Sequence, residues 1–87
     1  MSPTYPWLMQ ILYMATGGSS DPTRASIPLH LAVNGSLEVG QSVGIVLAGD
    51  ATELLSAQVR DSMEGLGVPP VRELFAKARE HKVTVYV

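Results

Sequence analysis

SVGIVLAGDATELL, residues 42–55, decides the fold of this chain. Ser42 to Ala48 is a mostly apolar run of strand length, the composition expected of a strand buried in a parallel sheet. It leads straight into a helix start. Asp50 followed by Glu53 has the spacing of a capping box, in which the first side chain caps the helix and the second reaches back to the cap's own amide. The helix that follows carries Leu54, Leu55, Val59 and Met63 on one side and stops at Gly65 to Gly67.

The same strand-then-helix pattern repeats on either side. Upstream, LMQILYMA (residues 8–15) is another mostly apolar run, read as a strand covered on both faces. TGGSSDPTRA (16–25) follows, with two glycines for unusual backbone angles, Asp21 to cap and Pro22 for the first helical position. This first helix is expected to reach Glu38 or Val39, with Ala25, Leu29, Ala32, Val33 and Leu37 inward and Gly40 ending it. Pro28 implies either a kink or a regular part that starts near Ser26. Downstream, VPPVRELFAKAREH (68–81) opens a helix at Pro70, with Val71, Leu74, Phe75 and Ala78 at helical spacing and a Glu73–Lys77 pair on the wet side. Lys82 to Val87 is the third strand.

Strands alternating with helices imply right-handed crossovers and an α/β domain with a parallel sheet. Residues 1–7, with two prolines, read as a loose arm, and 8–87 as a single domain. Three strands leave two sheet edges, so either a second copy supplies strands or this is the first part of a larger unit. Half of the apolar cluster of Trp7, Leu8, Met9, Ile11, Leu12, Tyr13 and Met14 belongs to the core by alternation. The rest is suited to an oligomer contact that covers apolar surface.

Eighty-seven residues bury only roughly 60 to 65% of the surface that the unfolded chain exposes, so the core is small. The 46% apolar and 16% charged content are those of a soluble globular protein, too hydrophobic for disorder and too interrupted for a membrane span. A net charge of −2 with six scattered Lys and Arg argues against nucleic acid as a partner. The stretch from Trp7 to Ala15 has no preceding positive charge and contains Gln10, which disfavours a signal peptide; the expected location is the cytoplasm. The chain has no cysteine, which removes disulfides, zinc thiolates and thiol nucleophiles.

The candidate ligand site is the pair of turns after the first two strands: Thr16, Gly17, Gly18, Asp21, Arg24, Gly49 and Asp50. Open parallel sheets bind ligands at strand carboxyl ends. Backbone amides in the first turn could meet an anion at the helix start, with Arg24 adding charge-assisted hydrogen bonds. The turn lacks the lysine and spacing of a P-loop and does not match the dinucleotide fingerprint. An ordinary turn and cap is the competing reading. Asp50 and Glu53 as paired carboxylates are accounted for by capping. His30 and His81 have no partners for a metal site, and neither a metal nor a cofactor is expected.

TGGSSDPTRA, NGSLEVGQSVGIVLAGDATELL and GLGVPPVRELFAKAREHKVTVYV, in this order and spacing, resemble the DsrE/DsrF-like proteins of bacterial sulfur metabolism, over Leu8 to Val87. The resemblance implies a three-layer α/β/α domain with a five-stranded parallel sheet, of which this chain carries three strands, and assembly into oligomers. It also implies a persulfide-carrying cysteine directly after the strand matched by VTVYV. The 87 residues end before that position. A sulfur relay needs a thiolate, so the expectation is no catalytic residue and no sulfurtransferase activity here. The chain would be a non-catalytic scaffold or a domain that binds a small ligand or a sulfur-carrier protein, docking near Gly17, Asp21, Arg24 and Gly49. The alternative is a structural or regulatory module that forms a homo-oligomer and has no ligand site.

Overall fold

The computed structural model describes residues 10–87. Trp7, Leu8, Met9 and the expected arm over residues 1–7 lie outside that range. Strand β1 is Ile11–Ala15, helix α1 Pro22–Leu31, strand β2 Val43–Leu47, helix α2 Ala57–Ser62, helix α3 Val71–Glu80 and strand β3 Thr84–Tyr86. The three strands form one parallel sheet in the order β1-β2-β3, with Ile45 opposite both Tyr13 and Val85. The α/β class and the three parallel strands are those expected.

Strand order decides which face is covered. Both crossovers step in the same direction across the sheet, and right-handed connections that step the same way fall on the same face. Accordingly α1 packs on both β1 and α3. Their shared core takes Ala15, Val43, Ile45 and Leu47 from the strands, Ala25, Leu29 and Val33 from the first helical segment, and Val71, Leu74 and Ala78 from α3. On the alternate face, Leu12 and Met14 are 55% and 60% exposed. The expectation that the first strand is covered on both faces is therefore corrected: among the described residues it has helices on one side only.

Local signals account for the helices well. Asp21 caps α1, its Oδ1 accepting from the Arg24 amide at 3.1 Å, and Pro22 sits in the first turn. Pro28 is accommodated inside α1 without interrupting it, and buried Ser26 donates to the Pro22 carbonyl at 2.6 Å. The helical path then widens into a π turn over Ala32–Ser36, closed by the Leu37 amide on the Ala32 carbonyl. Ser36 is held by the Tyr13 hydroxyl at 2.6 Å. Gly40, at φ 84°, makes the left-handed turn into β2. Because an N-cap side chain satisfies an otherwise orphaned amide, Asp21→Ala is expected to cost about 0.5–2 kcal/mol, read as a lower urea midpoint. An unchanged midpoint would remove the cap from the account.

The second helical segment differs from its expectation. Gly49–Leu55 is a 3-10 helix, and extended backbone at Ser56 breaks it from α2, whose amide at Val59 bonds the Ser56 hydroxyl. The break rotates Leu55 out of the apolar stripe, leaving it 56% exposed while Leu54 and Met63 stay buried. Likewise Lys77 does not pair with Glu73 in its own helix. It bonds Asn34 Oδ1 at 2.6 Å and forms an ion pair with Glu38, which ties α3 to the end of the first helical segment.

That ion pair has a pH signature. The hydrogen bond from Lys77, and then its charge, hold the Glu38 carboxyl below its ordinary value of 4.5. A carboxyl lowered in the folded state adds stability that is present above the unfolded value and lost as pH falls through the folded one. The stability difference between the native chain and Glu38→Gln is expected to be constant above pH 4.5 and to shrink below it. Urea titrations at neutral pH and near pH 3 check this; parallel pH profiles for the two proteins would contradict it.

Candidate functional site

The turns after β1 and β2 lie side by side at the carboxyl end of the sheet, as parallel neighbours require. The β1–β2 ladder continues one step past the strands, with the Ala48 amide on the Ala15 carbonyl at 3.0 Å. Gly49 turns the chain at φ 57° into the 3-10 helix, a left-handed conformation that suits glycine. The first turn folds back on itself through the Asp21 amide on the Gly18 carbonyl at 3.1 Å.

The two turns are packed against one another. Gly18 is buried, and a methyl group at its Cα would lie 2.5 Å from the Asp50 carbonyl oxygen and 2.7 Å from Glu53 Oε1. Ser19 Oγ donates to Glu53 Oε2 at 2.5 Å. Glu53 thus reaches across to the glycine turn, and the expected capping box does not form. Asp50 lies inside the 3-10 helix, while residue 48 holds its N-cap position without a side-chain bond. Thr52 bonds the Gly49 carbonyl locally at 2.9 Å.

A third loop joins from the α2–α3 connection. The Leu66 amide donates to Thr23 Oγ1 at 2.9 Å, and Gly65 approaches Thr23 so closely that a Cβ would be 2.7 Å from its Cα. The structure therefore brings together Gly18, Asp50, Ser19 and Glu53, and separately Thr23 with Gly65 and Leu66. Thr16, Asp21, Arg24, Gly49 and Asp50 are exposed at this end, and the Asp21 carboxylate is engaged by the Arg24 amide. The contacts of Ser19, Thr23 and Glu53 span 34 and 43 residues and have no local sequence signal.

Electrostatics bear on the ligand. Asp21, Asp50, Glu53 and Arg24 carry a formal −2 between them at this end of the sheet. An anion arriving at the glycine turn meets that field, and the Ser19 hydroxyl is already given to the chain's own carboxylate. The strands of the described residues also show no reversal of order, the feature that opens a crevice between neighbouring turns in larger parallel sheets. Among the described residues no group of three His, Cys, Asp or Glu side chains could hold a metal ion. His30 instead shares a 3.0 Å contact with Asn34, and His81 lies 3.5 Å from Glu80.

Fold and site together define a small α/β unit with a parallel sheet, helical on one face among the described residues, with strand-end turns locked to each other. Comparison with known protein families, curated proteins and solved structures found no match for this chain. No helix of the described residues is long and apolar enough to cross a membrane.

Proposed function

We propose that this chain is a non-catalytic, DsrE-like scaffold that works by protein association, with its open sheet face as the contact. The observation that carries the reading is the exposure of Leu12 and Met14 on a sheet whose other face is covered. In the register, Leu12 lies beside Gly44 and Thr84, and Met14 beside Val46 and Tyr86. This row bears no charged side chain. Its area is roughly 17 by 14 Å from strand geometry, enough for one helix about 10 Å across. That is well below the about 800 Å² per partner of a standard stable interface, so association through this face alone is weak.

The DsrE-like reading rests on the order of the sequence elements and agrees with a parallel sheet. In that reading the second helical layer and further strands of a five-stranded sheet come from beyond the described residues or from another molecule. A homo-oligomer and a sulfur-carrier protein are the partners it implies.

Light scattering across micromolar to millimolar concentration, on the native chain and on Leu12→Glu/Met14→Glu, tests association. The expected result is a mass that rises with concentration and a double variant that stays monomeric. Mixing with cytoplasmic sulfur-carrier proteins tests the family reading. A strict monomer that forms no complex with those carriers defeats the proposal.

A second reading keeps a small-ligand site at Thr16, Gly17, Gly18, Asp21, Arg24, Gly49 and Asp50. It is favoured by the convergence of both turns at one end of the sheet. Titration with thiosulfate and sulfite, followed by amide shifts, addresses it. Binding should improve in Glu53→Gln, which removes the competing carboxylate, and silence in both proteins excludes these oxyanions.

A further inference from the structure

The outer edge of β3 carries a second, differently charged surface. β3 pairs only with β2, so its other edge has no strand partner among the described residues. Alongside that edge, on the helical side of the sheet, runs a groove of about 250 Å³ lined by Arg60, Phe75, Ala78, Arg79, Val83 and Val85. Its lining joins four apolar side chains with two arginines. Arg60 stacks over the Phe75 ring at 4.9 Å and gives one bond to the Leu54 carbonyl at 2.8 Å. A guanidinium has five N–H donors, so most of its donors stay available. Neither Arg60 nor Arg79 has an ion pair among the described residues, whereas Arg72 and Lys77 do. In a chain of net charge −2, two uncompensated guanidinium groups at one groove are a local reversal of sign.

We propose that this edge and groove bind an extended acidic peptide segment of a partner protein, which adds to β3 as a further strand. Strand addition supplies main-chain bonds, while alternate side chains enter the flanking groove. The bound segment would carry an apolar residue and, two positions away on the same side, a glutamate or aspartate. The apolar side chain rests on Phe75, Val83 and Val85, and the carboxylate meets Arg60 and Arg79. The groove is smaller than the about 300–1,000 Å³ of pockets for free small ligands, which favours side chains delivered by a peptide. A second copy of this chain is a poor occupant. A two-fold pairing of edge strands is antiparallel and self-complementary, and the β3 segment of a second copy, Val83 to Val87, would bring no acidic side chain to Arg60 and Arg79.

The test uses the isotope-labelled 87-residue chain and a capped peptide Thr-Glu-Thr-Val-Thr-Thr, with Lys in place of Glu as the control. The expected result is that the Glu peptide shifts the amides of residues 83–87 and protects β3 from hydrogen exchange, while the Lys peptide binds at least tenfold more weakly. Arg79 is exposed, so Arg79→Glu should leave the fold intact. It should weaken the Glu peptide at least tenfold and strengthen the Lys peptide. Raised salt should weaken the native pairing. Equal binding of the two peptides, shifts confined to the Leu12 and Met14 face, or no binding at millimolar peptide would overturn the proposal. So would a dimer whose protected edge is β3. A failure here leaves the open-face scaffold reading intact, because the two surfaces report through different amides.

Discussion

Ile45→Ala is expected to lower the unfolding free energy by about 2–5 kcal/mol, the range for emptying a large buried aliphatic position. Ile45 is the centre of the middle strand, 1% exposed, between Tyr13 on one side and Val85 on the other. Its side chain points to the face where α1 and α3 meet, so the loss combines the transfer of its methyl groups with a cavity that the sheet and the two helices cannot fully close. For a chain of this length the whole stability is on the order of 4–13 kcal/mol. At the lower end of that scale, a loss in the upper half of the expected range leaves a substantial unfolded population at room temperature. Urea titration with an unchanged slope measures it. The informative control is Leu12→Ala, one strand away but on the open face and 55% exposed. Its expected loss is within about 0.5–1 kcal/mol, the scale of exposed substitutions. Equal losses at the two positions would mean that the wrong face has been assigned to the core.

Gly18→Ala is expected to cost about 1–3 kcal/mol by overpacking, and to disturb residues 49–55 more than any other segment. The added methyl would meet the Asp50 carbonyl oxygen at 2.5 Å, the Asp50 carbonyl carbon at 3.1 Å and Glu53 Oε1 at 2.7 Å. Glu53 can swing aside, at the loss of its bond from Ser19. The Asp50 carbonyl belongs to the backbone and moves only with the 3-10 helix. Calorimetry gives the stability, and hydrogen exchange localises the change. Gly35→Ala supplies the contrast: nothing lies within 4 Å of its Cβ position, in a helical stretch without a left-handed φ. There the smaller entropy of the unfolded chain should raise stability by about 0.4–1 kcal/mol. If Gly18→Ala behaved like Gly35→Ala, the two strand-end turns would not be in contact.

These contrasts separate what local sequence carries from what it does not. The Asp21 cap, the proline in the first turn and the inward stripe of Ala25, Leu29, Ala32 and Val33 were all legible, because caps and helical periodicity act within a turn or two of chain. The Asp50–Glu53 spacing was legible as a pattern and misleading as a structure. A carboxylate that can cap locally can also reach a hydroxyl brought near by folding, and Ser19 provided one. Lys77 is a similar case. Its intrahelical partner Glu73 is worth only a few tenths of a kcal/mol, so packing that brings Glu38 and Asn34 within reach readily redirects it.

By itself, then, the sequence determined that strands alternate with helices and that the strands run parallel, since buried apolar runs joined by helical crossovers admit little else. Strand order was decided only by the tertiary structure. The run Ile11 to Ala15 is compatible with burial on either or both faces, because nothing within it says where the neighbouring crossovers pass. Placing β2 between β1 and β3 sends both right-handed connections over the same face. That leaves Leu12 and Met14 open, exposes the outer edge of β3 beside Arg60 and Arg79, and locks the two strand-end turns together. All of these follow from the direction in which consecutive crossovers step, a relation between distant segments that no short stretch of sequence encodes.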